Sequence, residues 1–231
     1  MAITDAADLR GFRRQQLLWS YGLGDAGTGM AASLIGFYLF IFYTAAAGLP
    51  PWMAGLVLMI ARLWDALNDP LVGWLSDKTT TRWGPRIPWI LACAIPLGAA
   101  MAGMWWLPPG SEWVRFWVFV AISVLANSLY TCVNLPYAAL AAELTTDVSL
   151  RTRLNMARFT GSITAGLVGI VLGALLLRDH QNPISYWQMG VFSGLIILVC
   201  TLLCAWGIAP SARHCQKPEA QRGTTRRLIK R

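Results

Sequence analysis

Residues 26–61 read AGTGMAASLIGFYLFIFYTAAAGLPPWMAGLVLMIA, a run without one charged side chain. The hydrocarbon core of a bilayer takes about 20 apolar residues per helix. This run is too long for a single span, and Pro50-Pro51 divides it, because proline lacks an N–H and ends a helix. The division predicts a first helix over 19–47 and a second over 52–76. Further uncharged runs cover 87–111, 116–142, 159–177 and 180–212. With Pro108-Pro109-Gly110 as a break, they predict helices over 87–107, 113–139, 157–177 and 187–209.

The composition agrees with six membrane-spanning helices. Of 231 residues, 56% are apolar and 13% are charged, against about a quarter charged in an ordinary soluble domain. The mean hydropathy is +0.50. These values exclude a soluble enzyme, a soluble nucleic-acid-binding domain and a disordered chain. The expected fold class is an all-α integral membrane protein.

The net charge of +8 is a topology signal. With both termini inside, the segments 1–18, 77–86, 140–158 and 210–231 carry every Lys and Arg except Arg62, Arg115 and Arg178. The positive-inside rule then places both termini in the cytoplasm of a multi-pass protein of the inner (plasma) membrane. The expected organisation is a cytoplasmic segment 1–18, a six-helix domain 19–209, and a basic cytoplasmic tail 210–231 without fixed structure. No cleavable leader is expected, since five charges precede a first apolar run of full span length. The lipid bilayer is a partner; nucleic acid is not.

Ionisable groups at membrane depth carry the functional signal, because each costs at least about 2.5–3.5 kcal/mol at a helix centre. Arg62-Leu63-Trp64-Asp65-Ala66-Leu67-Asn68-Asp69-Pro70 places three charges and an amide within the second helix. Helical spacing stacks Arg62, Asp65 and Asp69 on one stripe with Asn68 beside it. A packing salt bridge needs one Arg and one Asp. The second Asp leaves a net negative charge, which calls for a proton or a cation. Two carboxylates, an amide and a hydroxyl are hard oxygen donors suited to Na⁺, Li⁺ or H⁺. Beyond Na⁺ at Asp65 and Asp69 no metal site is expected, and no cofactor. Asp25, among glycines in Tyr21-Gly22-Leu23-Gly24-Asp25-Ala26-Gly27, is either a ligand or a helix-end charge. The fourth helix carries Thr131 and Asn134 ahead of Pro136, which is either a proline-interrupted polar segment of the kind that lines binding sites in carriers or a proline kink held by local hydrogen bonds.

Two inner loops add candidates. Between helices two and three, Gly73, Asp77, Arg82, Gly84 and Arg86 read as a latch, since positive-inside charge explains the arginines alone. In Glu143–Arg158, Thr146, Asp147 or Ser149 is expected to cap a short interfacial helix. Arg158 at the start of helix five either points into the bundle or snorkels to the interface. Trp19, Trp52, Trp83, Trp89, Trp105, Trp106, Trp113, Trp187 and Trp206 flank the spans as an aromatic belt. The five Cys lack metal-ligand spacing, and His180 and His214 have no catalytic constellation beside them. An enzyme is not expected.

Three segments together resemble a known family: YGLGD in helix one, ARLWDALNDPLVGWLSDKTTTRWGPRIPW across helices two and three, and NLPYAALAAELTTDVSLRTRLNMARF from helix four onward. The pattern is similar to the glycoside–pentoside–hexuronide:cation symporters of the major facilitator superfamily, from about residue 17 to 210. The resemblance implies that Asp65, Asn68, Asp69 and Thr131 form the cation site. It matches Arg62 to the helix-two Arg and Arg158 to a helix-five Arg near the sugar. The family's helix-one Lys-Asp pair falls on Thr28 and Gly29, its helix-four Asp on Asn134 and a nearby Trp on Ala138. Charges that touch sugar are thus replaced, and Asp25 lies one turn from the expected position. The candidate substrate residues are Asp25, Asn134 and Arg158.

The resemblance also implies two six-helix halves with the substrate between them. This chain corresponds to the N-terminal half, and its partner would be the C-terminal half or a second copy. The expected function is cation-coupled symport of a glycoside, pentoside or uronide. The alternative from another class is a non-transporting fragment or partner-binding membrane module.

Overall fold

A computed structural model describes residues 11–79, 81, 86–145, 147–177 and 181–215. Among the described residues there are six helices: α1 (Gly11–Leu34), α2 (Pro51–Lys78), α3 (Ile87–Gly103), α4 (Glu112–Leu144), α5 (Val148–Leu176) and α6 (Pro183–Cys215). Helix α1 runs on through two π-helical segments, Ile35–Leu39 and Phe42–Ala46. It stops where the chain turns at Gly48, whose φ of 69° favours glycine. Pro51 then occupies the first turn of α2, where a missing N–H costs nothing. Arg115, one of the three basic residues outside the expected inner segments, donates from Nη1 to the Ala47 carbonyl at 2.8 Å and satisfies the free end of the first helix.

The helices outrun the apolar runs. Helix α5 begins at Val148 rather than 157 because Asp147 caps it, accepting from the Ser149 N–H at 2.9 Å. The cap therefore belongs to α5 itself, not to a separate interfacial helix. Helix α6 continues to Cys215, six residues into the segment expected as tail. Hydropathy marks the stretch that can sit in lipid, whereas backbone hydrogen bonding continues into polar flanks. Residues 1–10 and 216–231 lie outside the described residues.

Among the described residues, three helical stretches are long and apolar enough to cross a membrane by length and composition: Glu112–Ala142, Val148–Leu176 and Pro183–Gly207. Ile87–Gly103 is a shorter apolar helix. Helix α1 packs on α5 and α6, α3 on α4 and α6, and α2 on α4. The order of neighbours is α5, α1, α6, α3, α4, α2, so α5 and α2 each keep an open flank. Close crossings use glycine: a Cβ on Gly98 would stand 2.9 Å from the carbonyl oxygen of Gly194, on α6. One end of the bundle is filled by Phe42, Tyr43, Trp105, Phe119 and Tyr186. Trp105 therefore departs from the expected belt: it stacks on Tyr186 at 6.0 Å between centroids and is buried.

Candidate functional site

Helices α2 and α4 meet along a polar seam. Trp64 donates from its indole N–H to Ser128 Oγ at 2.8 Å. One turn further, the Thr131 hydroxyl lies 2.9 Å from Asp69 Oδ1 and 3.3 Å from Asp65 Oδ1. A hydroxyl has one proton, so it serves one carboxylate at a time. Arg62 is 3.9 Å from Asp65 Oδ2, but its side chain is 76% exposed, a geometry that contributes little. Asn68 is 6% exposed, and its Nδ2 has no hydrogen-bond partner. A half-turn of that amide presents Oδ1, an oxygen ligand. The structure thus brings Asp65, Asp69 and Thr131 together, places Asn68 one turn along the buried side of α2, and leaves Arg62 at the rim.

A second polar cluster joins α1, α4 and α5. Arg158 donates from Nε to Asp25 Oδ2 at 2.9 Å and from Nη2 to Asn134 Oδ1 at 2.9 Å. Asn134 donates from Nδ2 to the Tyr130 hydroxyl at 2.6 Å. Thr28 donates to Asp25 Oδ1 at 2.9 Å. The side chains of Arg158 and Asp25 are 16% and 7% exposed, so Arg158 is turned into the bundle and does not snorkel. The guanidinium also lies 5.3 Å from the Tyr137 ring centroid. Asp25, Tyr130, Asn134 and Arg158 border a cavity of about 370 Å³ together with Ser33, Gly36, Phe37 and Ser162.

The two clusters share α4. Thr131 faces the α2 carboxylates, while its neighbour Tyr130 and, one turn on, Asn134 face the cavity. Tyr130, Ser162 and the Gly36-Phe37 pair were not among the sequence candidates. Tyr130 directly precedes Thr131, and the i to i+4 spacing to Asn134 was the available signal.

Of the latch candidates, Asp77 pairs with Arg86 at 3.1 Å, with Asp77 largely exposed. Gly73 lets α2 approach α4, since a Cβ there would stand 3.3 Å from Leu135 Cδ2. Arg82 and Gly84 lie outside the described residues.

Long apolar helices whose ionisable groups turn toward one another define a multi-pass membrane protein with an internal polar site. The profile described as "MFS/sugar transport protein" matches residues 20–231. The chain belongs to this major facilitator family of transporters, and it is not an enzyme. It is 44% identical over 195 residues to an uncharacterized symporter, sll1374, of Synechocystis, covering 80% of this chain and 36% of that protein. It is 35% identical over 202 residues to the inner membrane symporter YicJ of Escherichia coli, covering 86% and 43%. It is 32% identical over 175 residues to the sodium-dependent lysophosphatidylcholine symporter 1-A of Danio rerio, covering 74% and 33%. The chain thus spans less than half the length of these curated relatives.

Proposed function

We infer that this chain is the N-terminal six-helix half of a cation-coupled sugar symporter. The observation that carries the inference is the Thr131 hydroxyl set between Asp65 and Asp69 at 3.3 and 2.9 Å. Two carboxylates with one shared proton donor leave negative charge at mid-helix, which a cation neutralises. Na⁺, Li⁺ or H⁺ binds there, with Asn68 as a further ligand. Substrate binds in the adjacent cavity against Asp25, Asn134 and Arg158. Occupancy of one site raises affinity at the other, and the coupling is reciprocal. The α4 segment 130–134 connects them.

The Asp25–Arg158 pair gives the cavity lining no net formal charge, which favours an uncharged glycoside or pentoside over a uronide. Asp69 and Arg62 are exposed on the open flank of α2. Charges at that depth do not face lipid, so a second six-helix half, or a second copy of this chain, covers the flank. Rocking of the two halves carries cation and substrate across. The charge pattern puts both termini on the cytoplasmic side of the inner membrane.

Binding of radiolabelled glycosides, pentosides and uronides to the purified chain in lipid nanodiscs tests these assignments. The expected result is binding that requires Na⁺, Li⁺ or added protons and is lost in Asp65→Asn and Asp69→Asn. Binding indifferent to cations, or intact in both variants, overturns the cation site. No binding across the panel overturns the substrate site.

A further inference from the structure

Six α1 residues face the cavity: Asp25, Gly29, Ala32, Ser33, Gly36 and Phe37. The spacing from 25 to 36 is that of one helical face. Phe37 joins it where α1 becomes π-helical over Ile35–Leu39, a local widening often found at functional positions.

Two glycines on this face differ in kind. A Cβ on Gly29 would run into Ser162, on α5, including its Cα at 2.8 Å; glycine there is a packing requirement. A Cβ on Gly36 meets nothing within 4 Å, and its backbone lies outside the left-handed region. Neither packing within this six-helix unit nor backbone conformation calls for glycine at 36, and glycine weakens a helix relative to alanine. What glycine does supply at 36 is open volume in the cavity wall. Phe37 beside it lines the same cavity and is 61% exposed.

We propose that Gly36 determines substrate size: its missing side chain is the room for the second ring, or the aglycone, of an uncharged glycoside. The sugar ring proper sits toward Arg158, Asn134 and Tyr130, which supply the hydrogen-bonding groups. The remote group lies over Gly36 with an apolar face against Phe37, as a ring C–H surface packs on an aromatic one. A side chain at 36 intrudes on the remote group first. The proposal rests on the substrate assignment above and deepens it.

The test compares two probes on the full chain in nanodiscs: a methyl glycoside, with one ring, and a phenyl glycoside of the same sugar. In Gly36→Leu the ratio of phenyl- to methyl-glycoside affinity is expected to fall about tenfold or more, the scale on which a pocket discriminates by a few carbon atoms. Gly36→Val is expected to be intermediate. Gly36→Ala is expected to unfold no earlier than wild type, whereas Gly29→Ala unfolds earlier. An unchanged ratio in Gly36→Leu overturns the proposal. So does a lowered unfolding midpoint in Gly36→Ala, which would make Gly36 a packing residue. If wild type binds neither probe nor any other glycoside, the substrate assignment itself fails, and that outcome is visible before any variant is made.

Discussion

The Thr131 hydroxyl on α4 lies 2.9 Å from Oδ1 of Asp69 on α2, across the junction of the two helices. The same oxygen is 3.3 Å from Asp65 Oδ1. Its two lone pairs and the two carboxylates form an oxygen cluster that no single helix could assemble. Thr131 is buried, so the cluster has a fixed inner wall, while Asp69 is exposed at the outer edge.

Thr131 is therefore the residue to vary. Thr131→Ser keeps the oxygen, and sodium affinity is expected to stay close to wild type. Thr131→Val keeps the shape and removes the oxygen. Sodium affinity is expected to fall by roughly 10–100-fold or more, the range for losing even an outer partner of a metal site. Sodium-dependent glycoside binding in nanodiscs measures both; equal affinity in the two variants would remove Thr131 from the site.

Sodium affinity is expected to weaken as pH falls. A cation and a proton compete for the same carboxylate oxygens, so cation binding releases protons and low pH opposes it. The apparent Kd for Na⁺ is expected to rise with acidity in the wild-type chain. Titrations at several pH values check the sign; a Kd that is flat or falls with acidity contradicts it.

Breaking the buried Asp25–Arg158 pair is expected to be costly. With 2.9 Å between Nε and Oδ2 and both side chains largely enclosed, removing one partner strands the other. The cost in such cases is about 3–5 kcal/mol. Asp25→Ala and Arg158→Ala should each lower the thermal unfolding midpoint in detergent, and the double variant should lose less than the sum. Arg158→Lys is not expected to rescue, because a point ammonium cannot reproduce the separate bonds from Nε to Asp25 and from Nη2 to Asn134. Additive single-variant effects would show that the pair is not coupled.

The crossing of α3 and α6 depends on Gly98 and Gly194. Each Cβ added there meets the carbonyl of the other glycine. Gly98→Val should force the helices apart and cost about 1–3 kcal/mol, as overpacking does elsewhere. Gly55→Ala is the control, since nothing lies within 4 Å of its Cβ position. Equal unfolding midpoints for the two variants would contradict the close crossing.

Helix content and the family were legible in residue order, because both rest on local properties. Uncharged runs separated by Pro50-Pro51 and Pro108-Pro109 define apolar segments wherever they sit in space. The grouping of Asp65 with Asp69 follows from helical spacing, since neighbours at i and i+4 share a face whatever the fold. Helix ends were less legible: Asp147 extends α5 back to Val148, because a cap acts on backbone groups that hydropathy does not register.

The rest depended on how the helices are rotated against one another. Asp25 and Arg158 are 133 residues apart, and each alone was compatible with an interface charge. Only the close packing of α1 on α5, through glycines such as Gly29, turns both inward. The same rotation separates Gly29, held by Ser162, from Gly36, which faces open space. Residue order thus determined the membrane class, the helices and the carboxylate stripe. Tertiary structure decided which polar groups meet, because their partners lie on other helices and contact depends on crossing geometry that no local pattern encodes.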